Sequence, residues 1–144
     1  MIAVDTSFII AYELHEHVHH DWAARVLSES IQSQEAFCVC PQVLAEFVHV
    51  ATDSRRLKQP LAMKEATERA QWWAEDSESK LVLPTSVAMT MFFDWMTKHR
   101  LGRKRVLDTL MATTYLAHGV TKFATLNTAD FEIFQVFQFL APSV

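Results

Sequence analysis

Four carboxylates stand where acids can do chemistry as well as solvate a surface. Asp5 ends the apolar run Ile2-Ala3-Val4 and is followed at once by two hydroxyls, Thr6 and Ser7. Glu46 interrupts an apolar stripe formed by Val43, Leu44, Phe47, Val48 and Val50. Asp108 opens the apolar segment Val106 to His118, and Asp130 follows the run Lys122 to Leu126. In an open parallel sheet the ligand crevice lies beyond the carboxyl ends of the strands, so an acid just past a buried first strand is placed for chemistry. A charged Glu among core positions is costly unless it is paired or faces a cation. Oxygen-rich clusters of this kind suit hard divalent cations such as Mg²⁺ or Mn²⁺. Each acid also has an ordinary role open to it. Asp5, Thr6 and Ser7 are all helix-capping residues, Asp108 would complement a helix dipole, and Asp130 sits in common turn chemistry. Their convergence on one end of a sheet is what distinguishes the two readings.

The basic residues are concentrated just before Asp108. Lys98, Arg100, Arg103, Lys104 and Arg105 form a run that is either a solvated face or a rim of positive charge for phosphates approaching the acids. Arg55 and Arg56 are weaker candidates for the same role. His15, His17, His19 and His20 have no zinc-finger spacing and no cysteine nearby, which makes them surface or rim residues. Trp72, Trp73, Trp95 and the Phe-rich end read as packing residues, because aromatics at helical or strand spacing usually pack.

The elements that must position these groups alternate. Short strands are expected at Ile2–Val4, Ala36–Cys40, Leu81–Leu83, Lys122–Leu126 and Val136–Leu140. Between them, helices are expected over Phe8–Tyr12, Trp22–Ser33, Pro41–Ala51, Leu61–Ala74, Ser86–His99 and Val106–His118, with Asn127 to Glu132 as a loop. Pro41 suits a first helical turn and Gly119 a helix end. Strand–helix alternation of this kind implies an α/β fold, a three-layer α/β/α sandwich on a mainly parallel sheet of about five strands. No linker or repeat divides residues 1–144, so a single domain is expected.

Bulk properties agree with a catalytic or binding domain. Half of the 144 residues are apolar, enough for a real core. No apolar stretch reaches membrane length and no cleavable leader pattern opens the chain, so a cytoplasmic protein with no membrane contact is expected. Cys38 and Cys40, two apart in a strand-like run, share one face and are core residues of a reducing compartment. The net charge of -4 argues against a protein that coats nucleic acid, although unneutralised metal-binding carboxylates would themselves make a nuclease acidic.

The segments Val4-Asp5-Thr6-Ser7, Leu44-Ala45-Glu46-Phe47, Leu107-Asp108-Thr109-Leu110-Met111-Ala112 and Thr125-Leu126-Asn127-Thr128-Ala129-Asp130-Phe131, in this order and spacing, resemble the PIN-domain ribonucleases, and VapC-type toxins of prokaryotic toxin–antitoxin pairs most of all. The resemblance covers nearly the whole chain. It implies Mg²⁺- or Mn²⁺-dependent hydrolysis of RNA phosphodiester bonds. Asp5, Glu46 and Asp108 match the acidic core, Asp130 the fourth, more variable acid, and Ser7 or Thr6 the hydroxyl beside the first aspartate. Asn127 occupies a position where relatives carry Asn or Asp. RNA contacts would fall to Arg100, Arg103, Lys104 and Arg105, with Arg55 and Arg56 open to RNA or to an antitoxin carboxylate. The excess apolar surface of Met89, Met91, Phe92, Phe93, Trp95 and Met96 suggests a homodimer face or an antitoxin groove. Two other classes compete: a PIN-like module that binds RNA or protein without cutting, and a phosphoacceptor or aspartyl-phosphatase domain. The latter requires an acceptor aspartate that Leu81-Val82-Leu83-Pro84-Thr85 does not supply.

Overall fold

The computed structural model describes residues 1–76 and 78–143; Ser77, inside the expected turn from Glu75 to Lys80, and Val144 lie outside the described residues. Five strands form one sheet: β1 (Ile2–Val4), β2 (Phe37–Val39), β3 (Ser79–Leu81), β4 (Lys122–Ala124) and β5 (Gln138–Leu140), in the order β3-β2-β1-β4-β5. Every pairing is parallel. The chain builds outward from β1 to β2 and β3, then returns to the other side of β1 to lay down β4 and β5. The strand order reverses between β1 and β4. That reversal opens a crevice at the carboxyl ends of these two strands.

Among the described residues, seven α-helices connect or flank the strands: α1 (Thr6–Glu13), α2 (His20–Gln32), α3 (Pro41–Ala51), α4 (Met63–Glu75), α5 (Ser86–Lys98), α6 (Val106–Ala117) and the short α7 (Thr128–Phe131). The expected α/β alternation is present throughout. Pro41 takes the first position of α3, and Gly119, with φ of 75°, follows the end of α6 in the left-handed conformation that glycine adopts without strain.

Three local expectations are corrected. The third strand runs over Ser79–Leu81 and not Leu81–Leu83, because parallel register with β2 pairs Phe37 with Ser79 and Val39 with Leu81. Leu83, an apparent strand residue, is exposed. The apolar run marked where the side chains are greasy; the register with the buried strand marked where the ladder lies. The expected loop after β4 contains α7, and Phe131 at its end is buried against Phe123 at 4.6 Å between ring centroids. Glu46 is not a core residue. It lies on the exposed side of α3, so its charge needs no buried partner.

The core joins both halves. Phe8, Phe37 and Trp73 pack together with centroid separations of 5.6 to 6.2 Å, mostly edge to face. Trp73 and Trp95 are buried, which removes Trp95 from the apolar surface expected over Met89 to Met96, and Cys38 and Cys40 are free thiols inside the same core. Burial pushes each thiol up to about 12, which leaves it protonated and unreactive. The buried phenol of Tyr115 on α6 donates to the Val4 carbonyl at 2.5 Å and accepts from the Cys40 amide at 3.1 Å. One side chain thus clamps the carboxyl ends of β1 and β2 together. Among the described residues, no helix is long and apolar enough to cross a membrane.

Candidate active site

Asp5 is the first residue beyond β1, and Thr125 the first beyond β4. The register sets Val4 opposite Ala124, so the two residues leave the sheet side by side. Asp5 is also the N-cap of α1: its backbone is extended and its Oδ1 accepts the Phe8 amide at 3.1 Å. Of the three capping residues Asp5, Thr6 and Ser7, Asp5 is the one that caps the helix. Those hydroxyls are thereby released for other work.

Both carboxyl oxygens of Asp5 are held from β4. The Leu126 amide donates to Ser7 Oγ at 3.0 Å, and Ser7 Oγ donates to Asp5 Oδ1 at 2.6 Å. In parallel, the Asn127 amide donates to Thr125 Oγ1 at 2.9 Å, and Thr125 Oγ1 donates to Asp5 Oδ2 at 2.6 Å. Two chains of hydrogen bonds therefore run from successive backbone amides into one buried carboxylate, an arrangement in which each bond polarises the next. Burial raises the Asp5 pKa above the ordinary aspartate value, and the Glu46 charge adds to this, while the bonds from Ser7, Thr125 and Phe8 oppose it.

Asp5 shares a cavity of about 610 Å³ with Thr6, Ser7, Glu46, Asp108 and Asn127. Glu46 comes from α3 and is fixed by Thr6, whose Oγ1 donates to Oε2 at 2.9 Å. Asp108 comes from the first turn of α6. Half-buried, it accepts no hydrogen bond among the described residues, and its pKa is pushed up to about 6. Desolvation is the largest cause, followed by the charges of Asp130, Asp5 and Glu46; Arg105 works in the opposite direction. Asp130, on α7, does not line the cavity, but it lies close enough to raise the Asp108 pKa and sits 3.9 Å from Arg105 Nη1.

The arginine candidates are placed differently. None of Arg55, Arg56, Arg100, Arg103, Lys104 or Arg105 lines the cavity. Arg56 pairs with Asp53 at 3.4 Å on the surface, and Arg100, Arg103 and Lys104 are exposed. Arg105 is half-buried, its Nε and Nη2 without partners among the described residues.

Three lining or supporting residues, Thr125, Gln42 and His17, lie outside the site set expected from sequence. Thr125 was readable only through strand register, since nothing local marks a threonine at a strand end as a carboxylate ligand. Gln42 lines the cavity from the first turn of α3, and His17 from the loop between α1 and α2. Of the histidine tract, His17 alone reaches this cavity.

The donor set fits a hard divalent cation. All acidic donors are oxygens, and Asp108 is a partly desolvated anion whose neighbours are other anions. Among the described residues no three His, Cys, Asp or Glu side chains are grouped as a ready-made cage. A magnesium-like ion does not need one, because it keeps several waters and takes one or two carboxylates.

Comparison with known proteins agrees with the fold. Ribonuclease VapC24 of Mycobacterium tuberculosis is 28% identical over 134 residues, spanning 93% of this chain and 91% of the relative. Among solved structures, VapC20 of M. tuberculosis, described as a sarcin-ricin loop cleaving toxin, superposes with a TM-score of 0.75 at 17% identity, covering 99% of this chain and 100% of that one. VapBC2 of Rickettsia felis, bound to a DNA fragment from its promoter, gives 0.69 at 15% identity, with 99% and 100% covered. The PIN domain family model matches residues 2–135. An all-parallel sheet with this strand order, acids from three elements at its carboxyl ends, and a family match over nearly the whole length lead to one conclusion: the chain belongs to the PIN-domain family.

Proposed function

We propose that this single-domain chain is a metal-dependent endoribonuclease, the toxin of a toxin–antitoxin pair, acting in the cytoplasm. The observation that carries the reading is the meeting of Asp5, Glu46 and Asp108, from three separate elements, in one cavity at the β1/β4 reversal, where Asp108 is held up to about 6 by its surroundings. Acids arranged to repel one another waste stability unless they serve a cation or a proton transfer.

Asp5, Glu46 and Asp108, with Asp130 near Asp108, are the acids that would hold Mg²⁺ or Mn²⁺, through one or two carboxylates at a time and the ion's retained waters. When bound, such an ion supplies a water of lowered pKa and stabilises charge on the phosphoryl oxygens. The chain's own residues do the rest. Ser7 and Thr125 orient both oxygens of Asp5 and favour its ionised form. Thr6 fixes Glu46 at the cavity wall. Arg105 limits the rise in the Asp108 pKa and lies 3.9 Å from Asp130. Arg100, Arg103 and Lys104, exposed near Asp108 in sequence, supply a salt-sensitive attraction for RNA outside the cavity, with Arg55 and Arg56 as further contacts.

The name of the VapC24 relative supports RNA hydrolysis, and the VapBC assemblies of Rickettsia felis and Haemophilus influenzae support an antitoxin partner. A homodimer is consistent with the exposed Val87 and Phe93 of α5. Purified protein incubated with total RNA in Mg²⁺, in Mn²⁺ and in chelator tests the reading. Cleavage that requires the ion and is abolished in both Asp5→Asn and Asp108→Asn supports it; full activity in either variant, or binding without cleavage, overturns it.

A further inference from the structure

The charged side chains that line the cavity are all acids. The arginines and lysines lie elsewhere, and the hydroxyls of Thr6 and Ser7 are already committed to Glu46 and Asp5. A phosphodiester strand entering it brings only further acceptor oxygens and negative charge. It therefore requires lining groups that still have a proton to give.

Gln42, whose buried Nε2 has no partner among the described residues, and His17 both meet that requirement, and His17 is the one whose donor direction is fixed by a hydrogen bond. Its main chain is pinned on both sides: the His17 amide donates to the Leu14 carbonyl at 2.9 Å, and the His17 carbonyl accepts the His20 amide at 3.0 Å. Its ring is oriented by the His19 amide, which donates to Nδ1 at 3.1 Å. A ring nitrogen that accepts an N–H cannot carry a proton, so the neutral imidazole has its hydrogen on Nε2. No group among the described residues accepts from Nε2. Desolvation, reinforced by His19 and His20 and opposed by Glu16, lowers the pKa of His17 and favours this neutral form.

Resting on the ribonuclease reading above, we propose that His17 is an RNA-contacting residue of the active-site cavity, its Nε2–H donating to a non-bridging phosphate oxygen of the bound strand. A neutral donor makes this contact without forming an ion pair with the catalytic carboxylates. The contact contributes to binding in the ground and transition states alike, so its loss affects KM and not kcat.

The experiment compares wild type, His17→Ala and His17→Gln. Gln places an amide N–H near the position of Nε2, and circular dichroism verifies that each variant is folded. Kinetics are measured on the RNA that wild type cuts fastest in a total-RNA digest. Equilibrium binding is measured in chelator with a labelled single-stranded RNA pool of mixed sequence, over a range of salt. The expected result is a KM raised about tenfold in His17→Ala with kcat nearly unchanged, partial recovery in His17→Gln, weaker binding of the pool by His17→Ala, and the same salt slope in all three proteins. An unchanged KM in folded His17→Ala overturns the proposal. So does a fall in kcat alone, or a shallower salt slope, which would mark His17 as a cation. If wild type cuts no RNA, the nuclease reading fails on its own, and the His17 contact stands or falls on the binding comparison.

Discussion

Thr125 donates to the Oδ2 of Asp5 at 2.6 Å across 120 positions of sequence, joining the residues that immediately follow two neighbouring parallel strands. The bond favours the ionised carboxylate in a site where burial favours the neutral acid. In Thr125→Val, Oδ2 loses its donor and the Asn127 amide its acceptor, at an expected cost of about 1–3 kcal/mol. The deficit should be larger at high pH, where the carboxylate is charged, than at low pH, where it is protonated. Urea unfolding at high and at low pH measures it, and an equal deficit at both would show that the bond does not discriminate between protonation states.

Asp108 gives a second pH signature. Its folded pKa of about 6 lies above the ordinary 3.8, so the folded chain retains a proton that the unfolded chain has lost. Its contribution to stability is therefore fully present below the ordinary value and is lost as pH rises through about 6. In chelator, Asp108→Asn should be more stable than wild type at neutral pH, by on the order of 1 kcal/mol once solvent screening of this half-exposed group is allowed for. The advantage should shrink below the ordinary aspartate range. Thermal melts across that pH range, in chelator, test the sign.

Divalent ions should reverse that order. A cation that binds only the folded acid cluster stabilises by mass action, about 2.7 kcal/mol at a hundredfold excess over Kd. Titration with Mn²⁺ should raise the Tm of wild type and leave Asp108→Asn nearly unmoved. An equal rise in both proteins would place the ion elsewhere.

Tyr115→Phe tests the scaffold. The phenol satisfies the Val4 carbonyl and the Cys40 amide inside the core, and its removal leaves both without this partner. A loss of about 2–3 kcal/mol is expected in urea unfolding. Because Val4 precedes Asp5, RNA cleavage by the variant should fall further than the folded fraction alone accounts for.

Much of this was legible in the residues. The alternation of strands and helices, Pro41 at a helix start and Gly119 at a helix end each follow from local chemistry, and the structure contains them. Asp5, Glu46 and Asp108 share a cavity because the strand order reverses at β1, which an α/β pattern with a leading strand suggests but does not dictate. What failed was long-range or amphipathic. Glu46 interrupts an apolar stripe in sequence yet occupies the exposed side of α3, since a broad stripe has borders as well as a centre. Edge strand β3 takes its limits from β2 and not from its own greasiness. Thr125 depends on register between strands far apart in sequence, for which no local signal exists.

The junction between β1 and α1 is one residue long. Asp5 closes the helix with the same oxygen that receives Ser7, and it reaches Thr125 with the other. Inserting a single residue between Val4 and Thr6 would turn the side chains that follow by about 100° around the helix axis relative to the sheet. Cap, hydroxyl relay and cavity acid would be lost together. Length at this point is thus as restricted as residue type: the chain can exchange Asp5 for an isosteric Asn and keep its shape, but it cannot gain or lose a residue there and keep its site.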